Sequence, residues 1–400
     1  MLSLIIAILF GVCIGTLTGL IPGLHTNTIA LIVAGASANM LIWFSPLEVA
    51  AFLVAMVVVH SFMDFIPSIF LGAPEDATVL SVLPGHELLM KGRGYRALKL
   101  TVIGGVGTFF LGLFLIPLMF ALLKRIQSSL VSVLGWILIA FAVLFILQEK
   151  TLKQKLWAAI IFLLSGTLGV VTLNHLSVKQ PLFPLLSGLF GMSTLFISLF
   201  NQSKIPKQWL HERLPIISKK RLLDYWKAAL SSLIVSILPA IGAAQAAIIS
   251  RAFTKFKERE DFLVVLGGIN TAAALFTLTT LYLLGKARTG VIAALSDIIE
   301  LSFTDYIVLV WVCFCAMILG AALTLKIGRF TAKNITKINY HKISIGVIWL
   351  LIIMSLAFSG LLGLWVFFVA SCIGLLAPLA GVKRIHLMGV LVVPVVLYYW

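Results

Sequence analysis

An imidazole, His60, and a carboxylate, Asp64, stand four residues apart inside the apolar run Leu47 to Leu71. At that spacing they share one face of a helix. An ionisable group within an apolar span is costly to keep there, faces a bundle interior or water, and marks an ion or proton path. The pair suits proton relay or cation binding; the alternative is an interfacial Asp at a span end already punctuated by Pro67, with His60 a packing histidine. A second group, His25-Thr26-Asn27-Thr28, follows directly on Pro22-Gly23. A helix that restarts after a break points free N–H groups and the positive end of its dipole into the gap, which suits a carboxylate or phosphate. Asn27 and Thr28 also offer oxygens to a cation, and Thr26 and Asn27 serve equally well as helix caps.

The second half echoes this pattern. Pro239 interrupts an apolar run, Gly242, Ala243 and Ala244 leave the backbone open to close approach, and Gln245 supplies an amide. Asn270 and Thr271 follow Gly267-Gly268 in an apolar context. They either complete a site from this half or make interhelical hydrogen bonds. Substrate contacts are therefore expected at Pro22, Gly23, His25, Thr26, Asn27, Thr28, Pro239, Gly242, Ala243, Gln245 and Asn270, and coupling-ion contacts at Asp64, Asn27, Thr28 and Thr271. Glu75 and Asp76 form either a cation gate or a solvated turn. Lys286 and Arg288 are either partners of an anion or cations snorkelling to headgroups at a span end.

Composition says what must position these groups. Of 400 residues, 61% are hydrophobic and 11% charged, where soluble domains carry roughly 25% charged residues. The mean hydropathy of +1.13 agrees, so the chain is an all-α integral membrane protein. The net charge of +16 sits in short gaps between apolar runs, the signature of topology and anionic headgroups rather than of nucleic-acid binding. Cys13, Cys313, Cys315 and Cys372 lie within apolar runs, without CxxC spacing or clustered His, and read as packing residues rather than a metal or disulfide framework. The first residues lack a charged leader and a persuasive cleavage site, and read as a retained membrane segment. No cofactor is expected beyond sodium or protons as a coupling ion. A membrane enzyme would have to draw on His25, His60, Asp64, Glu75 and His86, which match neither HExxH nor GxSxG.

Spanning needs about 20 apolar residues. Leu2 to Ile21, Leu47 to Leu71, Lys99 to Leu123, Leu130 to Leu147, Leu156 to Leu173 and Leu182 to Phe200 qualify in the first half, with Thr28 to Phe44 a half-helix or tilted span. Leu222 to Ile237, Ala240 to Phe253, Phe262 to Leu284, Tyr306 to Leu325, Ile343 to Phe358, Leu361 to Leu379 and Leu387 to Trp400 follow. With each broken run and its restart taken as one, about ten to twelve membrane elements result, in a first half 1–203, a basic linker 204–221 and a second half 222–400. Aligning Ile21-Pro22-Gly23 with Leu238-Pro239-Ala240 puts both breaks in register, the pattern of two repeats, here read as inverted, with broken or re-entrant helices. The acidic gap Asp297 to Asp305 favours the outside, and the basic stretch Lys326 to Lys342 favours the cytoplasm.

Gly15-x3-Gly19-x2-Pro22-Gly23, then Ile66 to Pro74, then Leu83 to Leu98 with its Gly85, Gly92 and Ala97-Leu98, resembles the large membrane subunit of tripartite tricarboxylate transporters, in a short, archaeal-like form. The resemblance covers residues 11 to 100 and, through Leu238-Pro-Ala-Ile-Gly-Ala-Ala, parts of 232 to 296. It departs at His25, where a small residue is usual, at Ala240 in place of a glycine, and at Lys286-Ala-Arg288 in place of a Pro-Gly segment. It implies a secondary transporter of small di- or tricarboxylates, driven by an ion gradient through alternating access. A small membrane subunit and an extracytoplasmic binding protein are its implied partners. The alternative cargo is a polyprenyl-phosphate-like lipid, whose anionic head suits the same break.

Overall fold

A computed structural model describes residues 2–21, 26–73, 77–178, 180–200, 205–212, 214, 218–237, 243–244, 246–247, 250, 259–335 and 340–398. Among these the regular structure is helical throughout. The helices are α1 (Leu2–Leu20), α2 (Thr26–Gly35), α3 (Ser37–Met40), α4 (Pro46–Met63), α5 (Phe65–Phe70), α6 (Val82–Met90), α7 (Gly94–Leu147) and α8 (Leu152–Val170). After them come α9 (Leu182–Leu186), α10 (Ser193–Phe200), α11 (Lys219–Ile237), α12 (Arg259–Leu284), α13 (Gly290–Ile298), α14 (Phe303–Asn334), α15 (Tyr340–Leu379) and α16 (Gly389–Tyr398). Among the described residues, seven stretches are long and apolar enough to cross a bilayer, accompanied by shorter apolar helices over 138–147, 182–197 and 384–398. The chain is a multi-pass membrane protein.

Local sequence explains most boundaries. Ser45 and Glu48 close a capping box with Pro46 in the first turn of α4, and Ser302 with Asp305 does the same for α14. Pro67 lacks an N–H and its ring crowds the carbonyl four residues back, so the buried run divides at Asp64 into α4 and α5. Gly360, at φ 70° and ψ −170°, parts α15 into two helical pieces, where the sequence predicts separate spans. Elsewhere the expectation fails. The gap expected after Leu123 is absent, because α7 runs unbroken through it; Lys124 to Ser129 contains neither Gly nor Pro, and Leu, Lys, Arg and Gln are good helix formers. Likewise the basic residues after Leu325 extend α14 to Asn334 instead of opening a loop.

Two helices form the interior. The windows within α4–α5 and α12 are 94% and 89% buried, against 28% for α1, so among the described spans only these two read as protein-facing on all sides. The order of their contacts fixes direction. Gly11, Gly15 and Gly19 of α1 meet Phe52, Met56 and Met63 of α4, and Gly320 and Thr324 of α14 meet Val59 and Met63. These three helices are therefore parallel. Around α12, Arg221 and Ser232 of α11 reach Asp261 and Ile269, while Gly104 and Gly112 of α7 meet Val264 and Leu275. That trio is parallel as well. Leu98 of α7 lies on Gly328 of α14, and Phe110 on Phe314, so the two trios run in opposite directions.

The segment 205–212 is strapped across the start of α7. Trp209 N–H donates to Gly92 O at 2.8 Å, and the buried Gln208 amide binds Leu89 O and accepts from Gly94 N–H. Arg96 holds Glu212 at 2.7 Å and also clasps both carboxylate oxygens of Glu260 at 2.8 Å, tying the strap to α12. Burial works against the ionised Glu212, but hydrogen bonds from Arg96 and Arg93 outweigh it and hold its carboxyl below the usual range. A depressed carboxylate pKa stabilises the fold at pH above its unfolded value of about 4.3, and the contribution is lost as pH falls through the folded value. Backbone amides of 205–212 are thus expected to be protected from hydrogen exchange at about pH 7 and to lose that protection progressively in acid below about pH 4.3. Glu212→Gln is expected to expose the strap at both. Equal protection of wild type and variant at neutral pH would contradict this role.

Candidate functional site

The break at Asp64 places a carboxylate where α1, α4, α12 and α14 converge. Asp64 is 1% exposed and His60 6% exposed, so neither is a solvated interfacial group. Asn270 of α12 donates from its amide nitrogen to Asp64 Oδ2 at 2.9 Å and to the Ser61 carbonyl at 3.0 Å. The Ser61 hydroxyl donates to Val58 O at 2.8 Å and approaches Thr271 Oγ1 at 3.4 Å. On the other side of α4, His60 Nδ1 lies 3.0 Å from Thr18 Oγ1, whose own proton goes to Gly15 O at 3.2 Å. Which atom of the His60–Thr18 pair donates depends on the imidazole tautomer. Gly19 of α1 presses on Met63 and the Asp64 amide, and Thr324 of α14 closes the set with a hydroxyl–sulfur contact to Met63 at 3.4 Å.

This arrangement is a polar layer inside an apolar bundle. A carboxylate at such a point is stabilised by donors, and Asn270 supplies one from the opposite trio. The contact between α4 and α12 thus includes a hydrogen bond from the Asn270 amide to the Asp64 carboxylate.

The first break contributes a second feature. Thr26 and Asn27 are the first residues of α2, Thr26 is buried, and α2 packs on α13. The Asn27 side chain lies against Gly290, the first residue of α13, whose Thr289 cap accepts from Ile292 N–H. Two helix starts thus meet, and Lys286 and Arg288 lie just upstream of the second. Thr28 lies in α2 and Ala243 is buried in the core. Pro22, Gly23, His25, Glu75, Asp76, Pro239, Gly242 and Gln245 lie outside the described residues. Among the described residues no group of three or more His, Cys, Asp or Glu gathers as a metal site would require.

A bundle with breaks, a buried carboxylate and converging helix starts invites comparison with known carriers. The model of the tripartite tricarboxylate transporter TctA family matches residues 5–389. The chain belongs to this transporter family. It is also 29% identical, over 411 aligned positions, to an uncharacterized protein of Methanocaldococcus jannaschii, an alignment covering 100% of this chain and 99% of that protein. No solved structure matches it.

Within this TctA-family chain, Asn270 and Thr271 of α12 stand beside Asp64 and Ser61 in interhelical hydrogen bonds, one of the two readings the sequence left open for them. The sequence reading missed Ser61, Thr18 and Gly290. Ser61 carried a usable signal, one polar residue between His60 and Asp64 in an apolar run. Thr18 carried none, because a threonine in a membrane helix usually satisfies itself on its own backbone.

Proposed function

We propose that the chain is a secondary transporter of a small di- or tricarboxylate, coupled to a sodium or proton gradient, in which Asp64 carries the coupling charge. The observation that carries this reading is the buried Asp64, set at a proline break and bonded across the interface between the two trios to Asn270. Inversion of one trio relative to the other supports an inverted repeat. In it α1 corresponds to α11, α4 to α12 and α14 to α7, with each outer helix exchanged between halves. Such a pair can expose a central site to either side in turn by rocking one trio against the other.

The substrate's carboxylates would lie at the starts of α2 and α13, where free N–H groups and two positive dipole ends converge and Asn27 and Thr289 add side-chain polarity. Arg288 is the nearest cation in sequence to that point. Family membership supports a small membrane subunit and an extracytoplasmic binding protein as partners. It equally supports a carrier rather than an enzyme. Since the starts of α7, α11 and α12 and the end of α14 carry the basic residues, that face would be cytoplasmic by the positive-inside bias.

The test is uptake of radiolabelled citrate and succinate by the purified chain in liposomes under an imposed sodium, proton or voltage gradient. Accumulation above protein-free vesicles is expected under at least one gradient. Failure of every di- and tricarboxylate to move under any of them would end the reading.

A further inference from the structure

The strap 205–212 turns one face outward that the bundle does not use. From Lys207 to His211 its side chains alternate: Lys207, Trp209 and His211 are exposed, Gln208 is buried and Leu210 is part-buried, as in an extended chain whose side chains point to opposite sides in turn. The inner face is the one bonded to the protein, Gln208 on Leu89 and Gly94 and Glu212 on Arg96. The backbone sets the outer face too. Trp209 N–H donates to Gly92 O, and a Cβ on Gly92, which stands at φ 77°, would press on Lys207 O. Glycine takes that left-handed conformation without a steric cost, so the strap lies close on the turn before α7. The indole is thereby held outward, 66% exposed.

A chain of contacts gives the depth of this face. Glu212 meets Arg96 in the first turn of α7, and Arg96 clasps Glu260 at the start of α12. Beside it, Asp261 meets Lys220 at 3.0 Å and Arg221 at 3.4 Å, at the start of α11. Directly after Arg221, Leu222, Leu223, Trp226 and Leu230 are exposed, an apolar stripe at helical spacing that suits hydrocarbon. The strap is therefore level with the polar edge of that stripe, where acyl chains give way to headgroups. Indoles concentrate at this boundary, apolar body on one side and N–H on the wet side, and cations there are drawn to anionic lipids. Lys207 and, at the start of α11, Lys219 are exposed, while the carboxylates of Glu212, Glu260 and Asp261 are each held by a cation. The outward face is thus cationic around an aromatic ring.

We propose that this face, Lys207, Trp209 and His211, seats in the headgroup layer and binds anionic phospholipid, which holds the strap closed over α7 and α12. A ligand that binds only the closed strap suppresses its opening in proportion to occupancy. The contact is with the bilayer rather than the cargo, and holds whatever the chain transports.

Hydrogen exchange of the full chain in nanodiscs tests this, with wild type, Lys207→Gln and Trp209→Ala each in phosphatidylcholine alone and in an equal mixture with phosphatidylglycerol. In wild type the 205–212 amides are expected to exchange roughly fivefold more slowly in the mixture, the effect of one engaged cation, and added salt is expected to shrink the difference. Lys207→Gln is expected to lose most of it, with unaltered exchange of α12 showing that the variant is folded. Fluorescence of Trp209, taken as wild type minus Trp209→Phe, is expected to be quenched by brominated phosphatidylcholine. Equal exchange of wild type in the two lipids would overturn the proposal, as would a lipid-charge effect undiminished in Lys207→Gln. Trp209 emission quenched by aqueous iodide and not by brominated lipid would overturn it as well and leave the face to a protein partner. Should Trp209→Ala prove misfolded, Lys207→Gln and Trp209→Phe decide by the same criteria.

Discussion

Asp64→Asn is expected to abolish gradient-driven accumulation while leaving the protein folded and competent for exchange. Asn is close in size and still accepts from Asn270, so the polar layer with Ser61 and Thr271 persists. What disappears is the charge that a proton or cation neutralises. Coupling free energies between sites are typically 1–3 kcal/mol, or roughly 5–150-fold in a linked equilibrium. The drop in accumulation ratio is thus expected near the upper end, roughly 100-fold. Counterflow of labelled citrate between equal concentrations, which needs no net ion movement, is expected to survive. Removing a buried ionisable group also relieves a desolvation cost, so melting is expected to be unchanged or raised. Full accumulation by Asp64→Asn in the same vesicles would remove Asp64 from the coupling step and return it to structure.

The largest effect on stability is expected at Gly104. A Cβ there would collide with the Val264 carbonyl of α12, and a Cβ on Gly267 would meet the Thr101 carbonyl of α7, so each glycine seats the backbone of the other helix. Small residues at such crossings allow the close packing that drives helix association in lipid, where the hydrophobic effect does not. Overpacking against rigid backbone has no rotamer to escape into. Gly104→Ala is therefore expected to cost about 3 kcal/mol. Gly104→Leu is expected to prevent assembly of the α7–α12 pair. At Gly346 in α15 an added methyl group would meet no described atom within 4 Å, and Gly346→Ala is expected to stabilise by about 0.5–1 kcal/mol through helix propensity. Thermal denaturation of the three variants in one detergent measures the contrast. Equal effects of the alanine substitutions at Gly104 and Gly346 would show that the two helices do not touch there in the membrane.

Membrane spans were readable because the bilayer imposes a length and an apolar composition that survive into sequence. The division at Asp64 was half readable, since Pro67 announces a break and its steric reach fixes where. The continuation of α7 past Leu123 was not, because basic residues between apolar runs look like a loop unless helix propensity is weighed against charge. Pairings between distant helices lay beyond reach for a different reason. Periodicity tells which face of a helix is apolar and says nothing about which helix covers it. Asn270 was suspected as a polar residue in an apolar run, but its partner Asp64 lies 206 residues away. Nothing in the sequence singled out Arg384, whose contact with Ser193 bridges 191 residues. The sequence paired residues 23–28 with 242–245, several of which lie outside the described residues; it did not announce that Asn27 lies against Gly290, at the start of the helix that packs on α2.

The 206 residues between Asp64 and Asn270 also set a schedule. Synthesis at about 5–20 residues per second leaves α4 in the membrane for on the order of 10–40 s before α12 emerges. During that interval its carboxylate has no Asn270, and an ionised group at the centre of a lone helix costs roughly 2.5–3.5 kcal/mol. The first half therefore carries that cost until its late partner arrives, and the polar layer closes only once the second trio has been made.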